Sequence, residues 1–179
     1  LDMGKVKRGM GNKSNRNSIY MSNKKIQIAV IGGREVSAEV LEKAETIGRL
    51  IAENGAIILC GGLGGVMEAV CRGAKSVNGT TVGILPTSNK TDANSYVDIS
   101  IPTDMGVARN AVIIQSADAA IAVGGSYGTL SEMAFALQKK IPLVSVDSWS
   151  IDETVMKISD PVKAIKWIFE SITLKSKNI

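Results

Sequence analysis

The chain has 179 residues and a formal charge of +4, with 45% apolar residues, only 4% aromatic ones and no histidine. That length suits one domain with its own core, and the missing imidazole removes Ser-His-Asp and Cys-His nucleophile schemes and the usual zinc-hydrolase ligand sets. No apolar run approaches the roughly 20 residues a membrane span needs, and two cysteines, Cys60 and Cys71, supply neither a disulfide framework nor a zinc cluster.

Residues 1–23 are rich in Gly, Asn, Ser and Lys and lack an apolar core. They predict a flexible basic leader without function, with Met21 as an alternative start. Up to Lys25 there are seven basic residues against the single acid Asp2, so the remainder is slightly acidic. A basic tail on an acidic domain is a poor nucleic-acid signature, and no nucleic-acid or membrane partner is expected. A reducing cytoplasm is the expected location.

Residues 24–179 then predict a single domain. Residues 26–31 are a first strand that ends in Gly32-Gly33-Arg34. Ser37 caps a long helix with Val40, Leu41, Ala44, Ile47, Leu50 and Ile51 as its buried stripe, closed by Gly55. Glu39 with Lys43, and Glu45 with Arg49, are spaced as i,i+4 ion pairs. Residues 56–60 form the second strand, followed by Gly61-Gly62-Leu63-Gly64-Gly65 and a helix through Gly73. The third strand covers residues 81–85. A polar loop, residues 87–94, is long enough to be a lid or a ligand loop. Residues 96–101 are a short fourth strand, and Pro102-Thr103-Asp104-Met105-Gly106 leads into a helix carrying Arg109 and Asn110.

Residues 119–123 read as a fully buried strand that breaks at Gly124 and Gly125. A helix starts near Gly128, with Leu130, Met133, Ala134 and Leu137 on one face. Glycines admit the backbone close to a ligand, and the first N–H groups of such a helix point at an anion. Glu132 lies in the first turn, away from the apolar stripe. A last strand covers residues 142–146, and Asp160-Pro161 opens a closing helix with Val162, Ile165, Ile168 and Phe169 inward.

Alternating strands and helices predict a doubly wound, mainly parallel sheet with helices on both faces. Right-handed crossovers place the strand-to-helix turns on one edge, where such sheets bind ligands. Gly32–Arg34, the glycines after Cys60, the stretch from Thr103 to Arg109 and the turn from Gly124 to Thr129 meet there. A nicotinamide dehydrogenase fails in detail. Counting G-x-G-x-x-G from Gly62 puts Met67 at the third glycine, and the second strand carries no acid for ribose. Glu68 is either a surface partner of Arg72 or a ligand residue. Glu132 and Arg109 have no oppositely charged neighbour one turn away. Each is therefore read as a partner of the other or of a ligand, against a helix-dipole carboxylate and a solvated cation.

The stretches Gly61-Gly-Leu-Gly-Gly-Val-Met-Glu68, Arg109-Asn110 and Gly124-Gly-Ser-Tyr-Gly-Thr-Leu-Ser-Glu132 resemble the molybdenum cofactor carrier protein family. That family belongs to the wider "lysine decarboxylase-like" group, with the cytokinin-activating phosphoribohydrolases. The similarity covers about residues 26–146. It implies a Rossmann-like fold, a homodimer or higher homo-oligomer, and a phosphorylated pterin or nucleotide as ligand; the decarboxylase label predicts no such activity. The hydrolases carry P-G-G-x-G-T-x-x-E and an upstream Arg-Lys pair. Gly125, Gly128, Thr129, Glu132 and Arg109 match. Gly124 replaces the proline, Ser126 a glycine and Asn110 the lysine, while Glu68 stands where a glycine is usual.

These departures favour a binder over a hydrolase. The expected ligand contacts are Gly32, Gly33, Gly62, Gly64, Gly65, Glu68, Thr103, Arg109, Asn110, Gly124, Gly125, Ser126, Tyr127, Gly128, Thr129 and Glu132. No cofactor is required by the sequence and no metal ligands are expected; molybdenum cofactor would be a bound ligand. The alternative is a phosphoribohydrolase that cleaves a nucleoside 5′-monophosphate, with Arg109 and Glu132 as its catalytic residues.

Overall fold

A computed structural model describes residues 24–177; the stretch expected to be a leader lies outside the described residues. Seven strands, β1 Gln27–Gly32, β2 Ile57–Cys60, β3 Thr81–Leu85, β4 Ile99–Pro102, β5 Ala119–Val123, β6 Leu143–Val146 and β7 Met156–Lys157, form one sheet in the order β4-β3-β2-β1-β5-β6-β7. Every adjacent pair is parallel. The helices are α1 Ala38–Glu53, α2 Val66–Lys75, α3 Asn110–Gln115, α4 Tyr127–Lys139 and α5 Pro161–Lys177. This is the Rossmann-like α/β architecture the alternation predicts, with one strand more. The two-residue β7 was not foreseen, because so short a ladder leaves no periodicity to read. No helix among the described residues is long and apolar enough to cross a membrane.

The central strands β1, β2 and β5 are apolar and buried over most of their length because both faces are covered. Side chains alternate between faces. Ile28, Val30, Ile58 and Ile121 pack with Ile47 of α1, Val70 of α2 and Ile168 of α5. Ala29, Ile31, Leu59 and Ala120 pack with Ile113 of α3 and Met133 of α4. Val162, expected inward on α5, is exposed, and Ala164 joins Ile165 and Ile168 in the core instead. β4 starts at Ile99 rather than at Tyr96. The side chain of Asn94 accepts the Tyr96 N–H at 3.1 Å, and Asn94 O accepts the Val97 N–H at 3.2 Å. An Asx-type turn therefore occupies what looked like the beginning of the strand.

α1 and α2 cross at two glycines. A Cβ on Gly48 would lie 2.0 Å from Val70 O, and one on Gly73 would lie 1.9 Å from Glu45 O. That approach changes the ion pairs. Glu39 does pair with Lys43 at 2.9 Å, but Glu45 reaches across to Arg72 at 2.9 Å and Arg49 turns to Glu53 at 2.7 Å. Gly73→Ala should therefore destabilise the fold by about 1 kcal/mol or more. The forced separation of two packed helices outweighs the roughly 1 kcal/mol that alanine gains in helix propensity. A denaturant midpoint that stayed put or rose would show that the helices can slide apart freely.

Candidate functional site

The winding reverses between β1 and β5: β2 continues the sheet on one side and β6 on the other. Crevices form at such points, outside the carboxyl ends of the strands. Here a cavity of about 500 Å³ opens, floored by Gly32 and Gly33 after β1 and by Gly61 after β2, with the first turn of α4 as one wall.

α4 begins from the glycine turn. Gly124 and Gly125 have φ of +56° and +153°, backbone that a side chain would disfavour. Asn110 steadies the helix start, with its amide nitrogen donating to Ser131 Oγ at 2.9 Å and to Gly128 O at 3.4 Å. The Ser126 N–H donates to Thr129 Oγ1 at 3.4 Å. Leu130 N–H closes the first helical bond on Ser126 O, so the N–H groups of Tyr127 and Gly128 have no acceptor within the helix. The helix is rotated from the face its apolar spacing suggested. Thr129, Glu132, Met133 and Ala136 are buried, and Ala134 is exposed. The cause is the cavity, which replaces hydrophobic core beneath the first turn and so turns polar side chains inward.

Arg109 arrives from the far edge. After β4 the chain is tied to the end of β3: Thr103 Oγ1 donates to Leu85 O at 2.7 Å, and the Gly106 N–H donates to Pro86 O at 2.9 Å. A 3-10 helix, Gly106–Arg109, then delivers the guanidinium to the cavity. There it is 8% exposed and 3.8 Å from Glu132 Oε1. Its Nη1 donates to Asn110 Oδ1. Its Nε is buried and has no hydrogen-bond partner. Gly61 makes room for it, since a Cβ there would sit 2.4 Å from Nη2.

Glu132 is 6% exposed. Burial pushes its carboxyl up to about 7, and the pull of Arg109 only partly opposes this. Burial likewise lowers the Arg109 pKa, against the attraction of Glu132. The two charges that lacked local partners thus lie 3.8 Å apart in the wall of one cavity. Desolvation outweighs their mutual attraction.

The structure brings Gly32, Gly33, Arg109, Asn110, Ser126, Gly128, Thr129 and Glu132 to this cavity. Other expected contacts are placed elsewhere. Gly62 packs on Leu85 and Gly83, Gly65 on the backbone of Gly33 and Arg34, and Gly124 on Val36 and Val40. The Val66 N–H, first of α2, is already taken by Gly33 O at 3.1 Å. Thr103 is committed to Leu85 O, as above, and Gly64 opens into a side groove shared with Arg34, Asp92 and Asn94. Glu68 is half-buried outside the cavity, and Arg72 is engaged by Glu45 rather than by it. Gly125 and Tyr127 lie on the outer side of the turn, against Trp149. Gly61 and Val107, which fall in stretches the sequence places at this edge, also line the cavity. So do Glu35, Met67 and Pro86, common residue types with no pattern to mark them.

Cys60 and Cys71 are fully buried with their sulfurs 3.6 Å apart, beneath the turn that follows β2. The Gly62 N–H donates to Cys60 Sγ at 3.3 Å. Packing accounts for both thiols.

Among known proteins, a protein of Archaeoglobus fulgidus is 45% identical over 83% of this chain and 97% of its own length. A molybdenum cofactor binding protein from the phototrophic bacterium Rippkaea orientalis has a solved structure that superposes with a TM-score of 0.79. It is 35% identical and covers 83% of this chain and 98% of its own. The cytokinin riboside 5′-monophosphate phosphoribohydrolase of Mycobacterium tuberculosis is 33% identical, over 63% of this chain and 65% of its own length. The model of the SLOG cluster4 family (LDcluster4) matches residues 25–171, which takes in the whole sheet and the cavity. The chain belongs to the SLOG cluster4 family.

Proposed function

We propose that the protein binds a phosphorylated heterocycle, a molybdenum cofactor-type pterin or a nucleotide, with its phosphate between the N-terminus of α4 and Arg109. One observation carries this reading: a buried guanidinium whose Nε has no protein acceptor, in the wall of the cavity. A phosphate oxygen satisfies that donor and the free N–H groups of Tyr127 and Gly128 together, and the helix dipole adds to the attraction. The likeness to the Rippkaea protein supports the pterin.

A second reading, hydrolysis of a nucleoside 5′-monophosphate to free base and ribose 5-phosphate, is favoured by Glu132 and by the likeness to the mycobacterial enzyme. Its carboxylate would stabilise positive charge developing on the ribose.

Titration of AMP and of a phosphorylated pterin, each beside its dephosphorylated form, tests the phosphate. At least about a tenfold preference for one phosphorylated form is expected, the gain from a charge-assisted contact. Equal affinity within both pairs would overturn the reading. Analysis of the AMP incubation for adenine separates the alternatives: none released keeps the binder, and stoichiometric release makes the protein the hydrolase. Homo-oligomerisation belongs to the same proposal, in keeping with the exposed apolar side chains Ile99, Ile101 and Val107. Sedimentation velocity reads it directly, and a monomer would remove that part.

A further inference from the structure

The glycine turn after β5 needs something to hold it. Gly124 and Gly125 both take positive φ, where the chain is loosest, and residues 125–128 are all exposed. The carbonyl of Ser126 is the pivot. It accepts the first hydrogen bond of α4, from the Leu130 N–H at 3.0 Å. It accepts a second from the indole Nε1–H of Trp149 at 3.2 Å.

Trp149 comes from the loop between β6 and β7, and its own carbonyl is fixed by Ser145 Oγ at 3.1 Å. The indole edge lies against Gly125, so closely that a Cβ there would be 3.1 Å from Nε1 and 3.2 Å from Cδ1. Tyr127 stacks on the indole with ring centroids 6.1 Å apart and planes at 26°. In a chain with two tryptophans, one sits 37% exposed on this turn, and neither it nor Tyr127 lines the cavity. Their contacts are with the outside of the turn.

From this grip we infer that Trp149 is a positioning residue for the ligand's phosphate, acting through the backbone of the glycine turn. The inference rests on the phosphate reading of α4. A turn whose N–H groups already point at the anion forfeits little ordering entropy on binding. Loss of the indole N–H lets the turn leave that conformation, and affinity falls with the competent fraction.

The test uses the full chain with Trp149→Phe, which keeps an aromatic ring beside Gly125 and Tyr127 but removes the donor, and Trp149→Ala, which removes both. Amide hydrogen exchange at Thr129 and Leu130, whose N–H groups are held by the side chain and the carbonyl of Ser126, should quicken about three- to tenfold without ligand in Trp149→Phe, the range of one hydrogen bond. AMP affinity should fall by the same factor, and further in Trp149→Ala. Adenosine affinity and melting temperature should hardly move. Unchanged exchange, or faster exchange with unaltered AMP affinity, would overturn the inference and leave the phosphate reading intact. Equal losses for AMP and adenosine would also overturn it, since Trp149 would then merely support the cavity. If the wild type prefers the phosphorylated form in neither the AMP nor the pterin pair, the phosphate reading itself fails, and the inference with it; if only the pterin pair shows the preference, the same comparison is made with that pair.

Discussion

Arg109→Ala should weaken binding of a phosphorylated ligand at least about 100-fold, about 2.7 kcal/mol, and leave the dephosphorylated form nearly unaffected. The guanidinium is the cation buried against Glu132 at the cavity wall, and its Nε has no protein acceptor. Removing it takes away both a donor set and the charge that counters the phosphate. Arg109→Lys is expected to recover only part of the loss, because an ammonium keeps the charge but cannot present the planar fork. Calorimetric titration with AMP and adenosine reads the effect. A binding constant for AMP that survived Arg109→Ala would move the phosphate elsewhere and return Arg109 to a buried structural role.

Glu132→Gln should stabilise the protein at alkaline pH. The sign follows from the protons bound. Between its ordinary value of 4.5 and its folded value of about 7, the folded state holds the Glu132 proton more tightly than the unfolded state. Stability from this group therefore falls as pH rises through that window, and the full penalty is in place above it. The size is about 3 kcal/mol, or several degrees in melting temperature for a domain of this size. Glutamine imitates the protonated acid and escapes the penalty. Thermal melts of wild type and Glu132→Gln should coincide near pH 4.5 and separate towards pH 8, with the variant higher. Curves that stayed superposed across that range would show that the carboxylate is solvated and titrates normally. A residue that costs stability where the protein would use its charge is the pattern expected of a functional group. If the protein is a hydrolase, the same variant should lose at least about two orders of magnitude in turnover with little change in AMP affinity.

Much of this was legible in the sequence, because it is set by local rules. The run from Ala119 to Val123 is apolar at every position, and only a strand covered on both faces accepts that; all five residues are buried. Gly124 and Gly125 marked a turn, because paired glycines break a strand and readily take the positive φ found at both. Repeated strand, turn and helix fixed a parallel sheet, and a parallel sheet fixes which edge holds the ligand. The missing ion-pair partners of Arg109 and Glu132 were visible one helical turn away.

What the sequence could not determine depends on contacts between distant segments. Apolar spacing put Glu132 on the outer side of α4, yet it is buried, because a cavity rather than core lies beneath that turn. A periodicity rule assumes that inward means apolar, and it fails where the inside is a binding site. The i,i+4 rule paired Glu45 with Arg49, whereas the close approach of α1 and α2 at Gly48 and Gly73 gave Glu45 to Arg72. Trp149 carries no pattern in its own neighbourhood, since its role exists only once β6 lies beside β5 and brings the indole to Ser126 O. Local sequence sets propensities one or two turns away. Which charges share a buried space, and which backbone carbonyl meets a remote donor, is decided by how the layers pack.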